Sequence, residues 1–162
     1  MAMKFAGVQD IKKELQLLPP KKLQDLCLRM AKYRKENKEL LAFLLFESDD
    51  KHVFIDELRA EISAELAAIA AQQNLFFLKK NLRRILRLLN RYIKYIDDKA
   101  LTADLLLFFC QELKAKHIPV HKNTALKNLY GQQLKKISTL ANALHEDLRQ
   151  DYISQLDELA ID

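Results

Sequence analysis

Apolar residues recur at spacings of three and four along nearly the whole chain, the period of helices with one buried face. The first such segment runs from Val8 to Leu18 and stops at Pro19-Pro20. The second covers Lys21 to about Tyr33, with Leu23, Leu26, Cys27 and Met30 on the face predicted to be buried. A third spans about Asn37 to Phe46, and Ser48-Asp49-Asp50 ends it and offers caps for the next. The fourth, Lys51 to Gln72, places Val53, Ile55, Leu58, Ile62, Leu66 and Ile69 inside. Asn74 breaks the pattern before a fifth helix from Leu75 to Ile96, closed by Asp97-Asp98. The sixth covers Leu101 to Lys116 with Thr102 as its predicted cap. Pro119 makes His117 to Lys122 a loop. A seventh helix runs from Asn123 or Thr124 to about Leu144, and the last from Glu146 to Leu159.

Composition supports this picture. Glycine occurs only at Gly7 and Gly131, and proline only at Pro19, Pro20 and Pro119. A sheet protein needs turn residues far more often than that, while Leu, Lys, Glu, Gln and Ala favour helices. At 162 residues the expectation is a single all-α domain covering residues 1–162. The connections are short, so its seven or eight helices should form antiparallel hairpins. The hairpins either stack into a short α-α superhelix or close into an irregular bundle. Glu39-Leu40-Leu41-Ala42-Phe43 through Glu47 echoes Asp104-Leu105-Leu106-Leu107-Phe108 through Glu112, which hints at stacking.

No segment approaches the roughly 20 apolar residues of a membrane span, and the N-terminal residues lack the apolar core of a signal peptide. Cys27 and Cys110 stand far apart among apolar residues, as buried thiols do. The expectation is a cytoplasmic protein without membrane association.

Two stretches resemble known sequences. One is Leu18-Pro19-Pro20-Lys21-Lys22-Leu23 through Arg34-Lys35-Glu36-Asn37-Lys38-Glu39-Leu40-Leu41. The other is Asn123-Thr124-Ala125-Leu126 with Leu144-His145-Glu146-Asp147-Leu148. Together they resemble a family of uncharacterised bacterial all-helical proteins. That resemblance implies a helical fold and carries no activity.

Charge is more informative than composition. The net charge is +5, but from Leu66 to Ile96 the chain has no acid after Glu65. The fifth helix carries Lys79, Lys80, Arg83, Arg84, Arg87, Arg91 and Lys94 on one arc and an apolar stripe on the other. A second cationic stretch, Lys114 to Lys136, includes Lys116, Lys122, Lys127 and Lys135. Acids concentrate in Glu47–Glu65 and in the C-terminal helix. Such a basic face suits the phosphates of a polyanion, and Phe76, Phe77, Tyr92 and Tyr95 lie near enough to stack on bases, although the expectation for Phe76 and Phe77 is burial in the core. The competing expectation is neutralisation by the acidic fourth helix packed beside it.

Catalytic signatures are missing. Two glycines exclude a phosphate-cradling loop or a dinucleotide fingerprint. His117 and His121 have helical metal spacing, but Pro119 between them places them on a loop. Glu57, Glu61 and Glu65 form a carboxylate ladder without the histidine of di-metal helical sites. Glu36 and Glu39 have the spacing of helical pyrophosphatase acids but lack a convincing second pair. Gly131 interrupts the seventh helix, where close packing is the expected reason.

The leading expectation is therefore a non-enzymatic helical scaffold that binds a protein partner or a second copy of itself, with no cofactor and no metal. The alternative is a nucleic-acid binder using Lys80, Arg83, Arg84, Arg87, Arg91, Lys94, Lys135 and Lys136.

Overall fold

The computed structural model describes residues 5–160, and every regular element in that range is helical. The α-helices are α1 (Val8–Gln16), α2 (Pro20–Tyr33), α3 (Lys35–Ala42), α4 (Lys51–Ala70), α5 (Leu75–Ile96), α6 (Lys99–Ala115), α7 (Thr124–Ala141) and α8 (Glu146–Leu159). The chain divides into two compact units, one up to Ser48 and one from Asp49.

In the first unit, Pro20 opens α2 at its first helical position, where a missing N–H costs nothing. Arg34 is extended and separates α2 from α3. Asn37 Nδ2 donates to the Met30 carbonyl at 2.9 Å and ties the two helices together. The third segment is shorter than its periodicity predicts, because Phe43–Glu47 form a π-helical turn after α3. Neither α1, α2 nor α3 has a fully buried residue, and only Phe43 is buried among the described residues of this unit. The face of α2 expected to be covered is open. Leu26 and Met30 are 40 % and 63 % exposed, and Cys27 is exposed as well. Periodicity marks a face capable of burial, but it does not supply the partner that covers it.

The second unit is a bundle built around α6. Leu105, Leu106, Leu107, Phe109, Cys110 and Leu113 are buried, so α6 is apolar on nearly every side and takes the central position. Asp98 caps it by accepting from Leu101 N at 3.0 Å. Thr102, the predicted cap, lies inside the helix and donates to the Asp98 carbonyl at 2.6 Å. Helices α4, α5, α7 and α8 all pack on α6.

Cross-helix bonds give the directions. Lys51 Nζ at the start of α4 reaches the Ile96 carbonyl at the end of α5 (3.1 Å), so these two run antiparallel. Arg59 lies over the Phe108 ring, and Ser63 donates to Glu112 at 2.5 Å, so α4 runs parallel to α6. Tyr152 donates to Asp104 at 2.5 Å and Gln111 to Gln155 at 3.1 Å, so α8 also runs parallel to α6. Elements two apart in sequence thus meet on one central helix. Neighbouring hairpins in a stacked superhelix make the same i to i+2 contacts, so the packing of this unit fits both forms of the expected all-α architecture. The suspected repeat falls on unlike elements, α3 with its π-helical turn in one case and the bundle centre in the other.

Two details differ from expectation. Val53 is 53 % exposed although its spacing places it inside α4. Gly131 sits within an unbroken α7, and a Cβ there would meet no atom within 4 Å. Close packing therefore does not explain that glycine.

Candidate nucleic-acid interface

Helix α5 is held at its N-terminus by Asn74, whose Oδ1 accepts from Phe76 N at 2.9 Å and Phe77 N at 3.4 Å. Its apolar residues Leu78, Leu82, Ile85 and Leu89 are buried in the bundle. That burial forces the opposite, cationic arc outward. The arc then divides between two neighbours.

On the flank beside α4, Arg84 forms a bidentate pair with Glu65, with Nη1 at 3.2 Å from Oε1 and Nη2 bound to Oε2. The hydrogen bonds from Arg84 hold the Glu65 carboxyl below its ordinary range. Glu57 and Glu61 are exposed and make no bond to the cations of α5 among the described residues. The anticipated neutralisation is therefore real at Arg84, where Glu65 supplies it.

On the flank toward α7 the outcome is different. Helices α5 and α7 both pack on α6 and enclose an open groove of about 960 Å³. Lys79, Lys80, Arg83 and Arg87 line the α5 side, with Phe76 at one end. Asn128, Gln132 and Gln133 line the α7 side, and no acid lines either. None of the four cations forms an ion pair among the described residues. At the far end Lys136 Nζ donates to Asn90 Oδ1 at 2.9 Å and bridges the two helices. Tyr130 bonds the Leu159 carbonyl while Lys135 lies near Ile153 and Asp157, so α7 is antiparallel to α8. Helices α5 and α7 therefore run in the same direction, with their positive helix ends near Phe76 and Ala125.

The remaining proposed residues lie elsewhere. Arg91 is half-buried, with its guanidinium 5.3 Å from the Tyr92 ring centroid. Lys94 is exposed beyond the groove. Lys135 lines a separate hollow of about 310 Å³ with Ser138, Ile153, Leu156 and Asp157, facing α8. Phe77 is exposed and packs edge-to-face on Phe76, while Tyr95 is buried and Tyr92 half-buried.

Other polar clusters serve packing. Glu112 receives Ser63 and, at 2.8 Å, Lys116, whose ammonium also reaches Ser63 Oγ at 3.1 Å. These bonds, Lys116 first, lower the Glu112 carboxyl and lock α4 to α6. The partners lie far apart in sequence, so no local pattern announces them. His117 and His121 are exposed and border a hollow of about 250 Å³ beside Tyr130 and Leu159. No group of three or more His, Cys, Asp or Glu able to hold a metal occurs among the described residues. Cys110 is fully buried, and burial pushes its thiol up to about 12. Among the described residues no helix is long and apolar enough to cross a membrane.

No protein-family model, curated protein or solved structure matches the chain.

Proposed function

We propose that this chain binds nucleic acid in the groove between α5 and α7. One observation carries the proposal. Four cations, Lys79, Lys80, Arg83 and Arg87, line a concave surface that has no acid of its own. Holding like charges side by side costs free energy, and a polyanion offsets that cost while releasing its counterions. Arg83 and Arg87 add bidentate geometry for phosphate oxygens.

The test is fluorescence anisotropy of labelled RNA and DNA titrated with the full chain across a salt series. Supportive results are micromolar or tighter binding that weakens steeply with salt, and its loss in the Arg83→Glu/Arg87→Glu double variant. Arg84→Glu is the wrong probe, because it sets a second carboxylate against Glu65 and disturbs the α4–α5 contact. Absence of binding at low salt overturns the proposal.

A second surface favours self-association through the first unit. Val8, Leu17, Leu28, Met30, Tyr33 and Phe46 are each more than half exposed there. A standard interface buries roughly 800 Å² on each partner, and exposed apolar side chains of this kind are what its centre is made of. The occupant proposed is the same unit of a second copy. Sedimentation velocity should show a dimer that Met30→Glu/Phe46→Glu dissociates. A wild-type monomer at high concentration removes this reading and leaves the groove untouched.

A further inference from the structure

The groove's two walls differ in chemistry, and the difference points to one class of nucleic acid. We infer that the groove holds a single strand, with phosphates along α5 and bases against α7 and Phe76. This rests on the groove being a nucleic-acid site at all.

The first argument is size. Helices α5 and α7 both pack on α6, and the Lys136 side chain on one reaches the Asn90 side chain on the other, so the space between them is about two side chains wide. A concave channel on that scale admits one strand. A duplex is read instead by an element that protrudes into a groove about 12 Å wide.

Spacing is the second. Lys79, Arg83 and Arg87 follow one another at four-residue intervals on one face of α5. Each interval rises about 6 Å along the axis, the scale of one nucleotide step along an extended strand. The cations thus form a row that tracks a single backbone.

The third is the opposite wall. Asn128, Gln132 and Gln133 carry no charge, and each carboxamide both donates and accepts, as a base edge does. The Gln133 side chain is held in place, with Nε2 donating to the Leu129 carbonyl at 3.0 Å. A protein that recognised only charge would have no use for an amide wall.

Phe76 completes the site. It lines the groove and is 64 % exposed, with the half-exposed Phe77 beside it. Asn74 fixes its backbone, and Phe77 packs against it edge-to-face with centroids 5.6 Å apart. A preset ring beside a row of cations is the arrangement that stacks unpaired bases. A duplex keeps its bases stacked on each other and has no face to offer.

The experiment compares three probes against the full chain at several salt concentrations. They are a labelled single strand of about ten nucleotides, the duplex of the same sequence, and inorganic polyphosphate as competitor. The single strand should bind at least tenfold tighter than the duplex. Phe76→Ala should weaken it about five- to a hundredfold, the range for losing one stacked base, with the salt dependence unchanged. Arg87→Gln should make the salt dependence shallower. Circular dichroism of both variants confirms that helix content is retained. Duplex binding as tight as single-strand binding overturns the inference. Polyphosphate competing as well as the strand, with Phe76→Ala indifferent, overturns it too while the polyanion groove stands. If no probe binds, the groove reading itself falls.

Discussion

Arg84 and Arg87 lie three residues apart on one helix, yet Glu65 holds the first in a bidentate pair while the second faces a groove with no acid. The difference arises from a rotation of about 300° around the helix axis, which directs one guanidinium toward α4 and the other toward α7. The Arg84–Glu65 pair is solvated, so removing it should cost little. Arg84→Ala is expected to lower stability by less than about 1 kcal/mol in urea unfolding and to leave nucleic-acid affinity nearly unchanged. Arg87→Ala should do the reverse, with stability intact and affinity reduced.

Gly131 occupies a solvent-facing position in an unbroken helix, with open space where a Cβ would go. Gly131→Ala should therefore stabilise the protein by about 0.5–1 kcal/mol, because alanine loses less backbone entropy on folding. Thermal unfolding should show the midpoint rise. An unchanged or lower midpoint would mean the glycine has a role the local geometry does not reveal.

Glu112 supplies a pH signature. Its carboxyl is lowered from the ordinary 4.5, chiefly by the hydrogen bond from Lys116 and then by that from Ser63. A depressed carboxyl contributes stability that is present above the unfolded value and lost as pH falls through the lowered folded value. The wild type should lose stability below about pH 4.5, and Glu112→Gln should flatten that acid limb. The variant should also be less stable at neutral pH by about 1–2 kcal/mol, since Lys116 loses a charged partner.

The two cysteines should react on different timescales. Cys27 is exposed on α2, whereas Cys110 is fully buried in α6 with its thiol raised to about 12. An aromatic disulfide reagent at neutral pH should titrate one thiol at once and the second only on unfolding. Cys27→Ser should remove the fast phase and leave the slow one.

The centre of the bundle should be the least tolerant region. Phe109 is wholly buried on the helix that four others contact. Phe109→Ala is expected to cost about 3–5 kcal/mol through lost transfer energy and the cavity left behind. Denaturant unfolding gives the value, and a loss under 1 kcal/mol would contradict α6 as the structural axis.

The sequence by itself determined the helical class and much of the element plan. Helices α5 and α8 have the bounds that their periodicity and flanking Asn74, Asp97 and His145 indicate, because helix period and capping are local properties. The cationic arc of α5 was equally legible, since it depends only on the turn angle per residue. Tertiary structure decided which faces were covered. The same spacing that buries Leu82 and Leu89 in α5 leaves Leu26 and Met30 open in α2, and it buries Cys110 while leaving Cys27 exposed. It also set Arg84 against an acid on α4, and Lys79, Lys80, Arg83 and Arg87 in a groove whose other wall is amides of α7. Long-range packing makes these contacts, since Glu65 lies 19 residues from Arg84 and Lys136 lies 46 from Asn90. Periodicity reports on neighbours within a few turns of one helix, and across such distances only the folded chain decides what each charge meets.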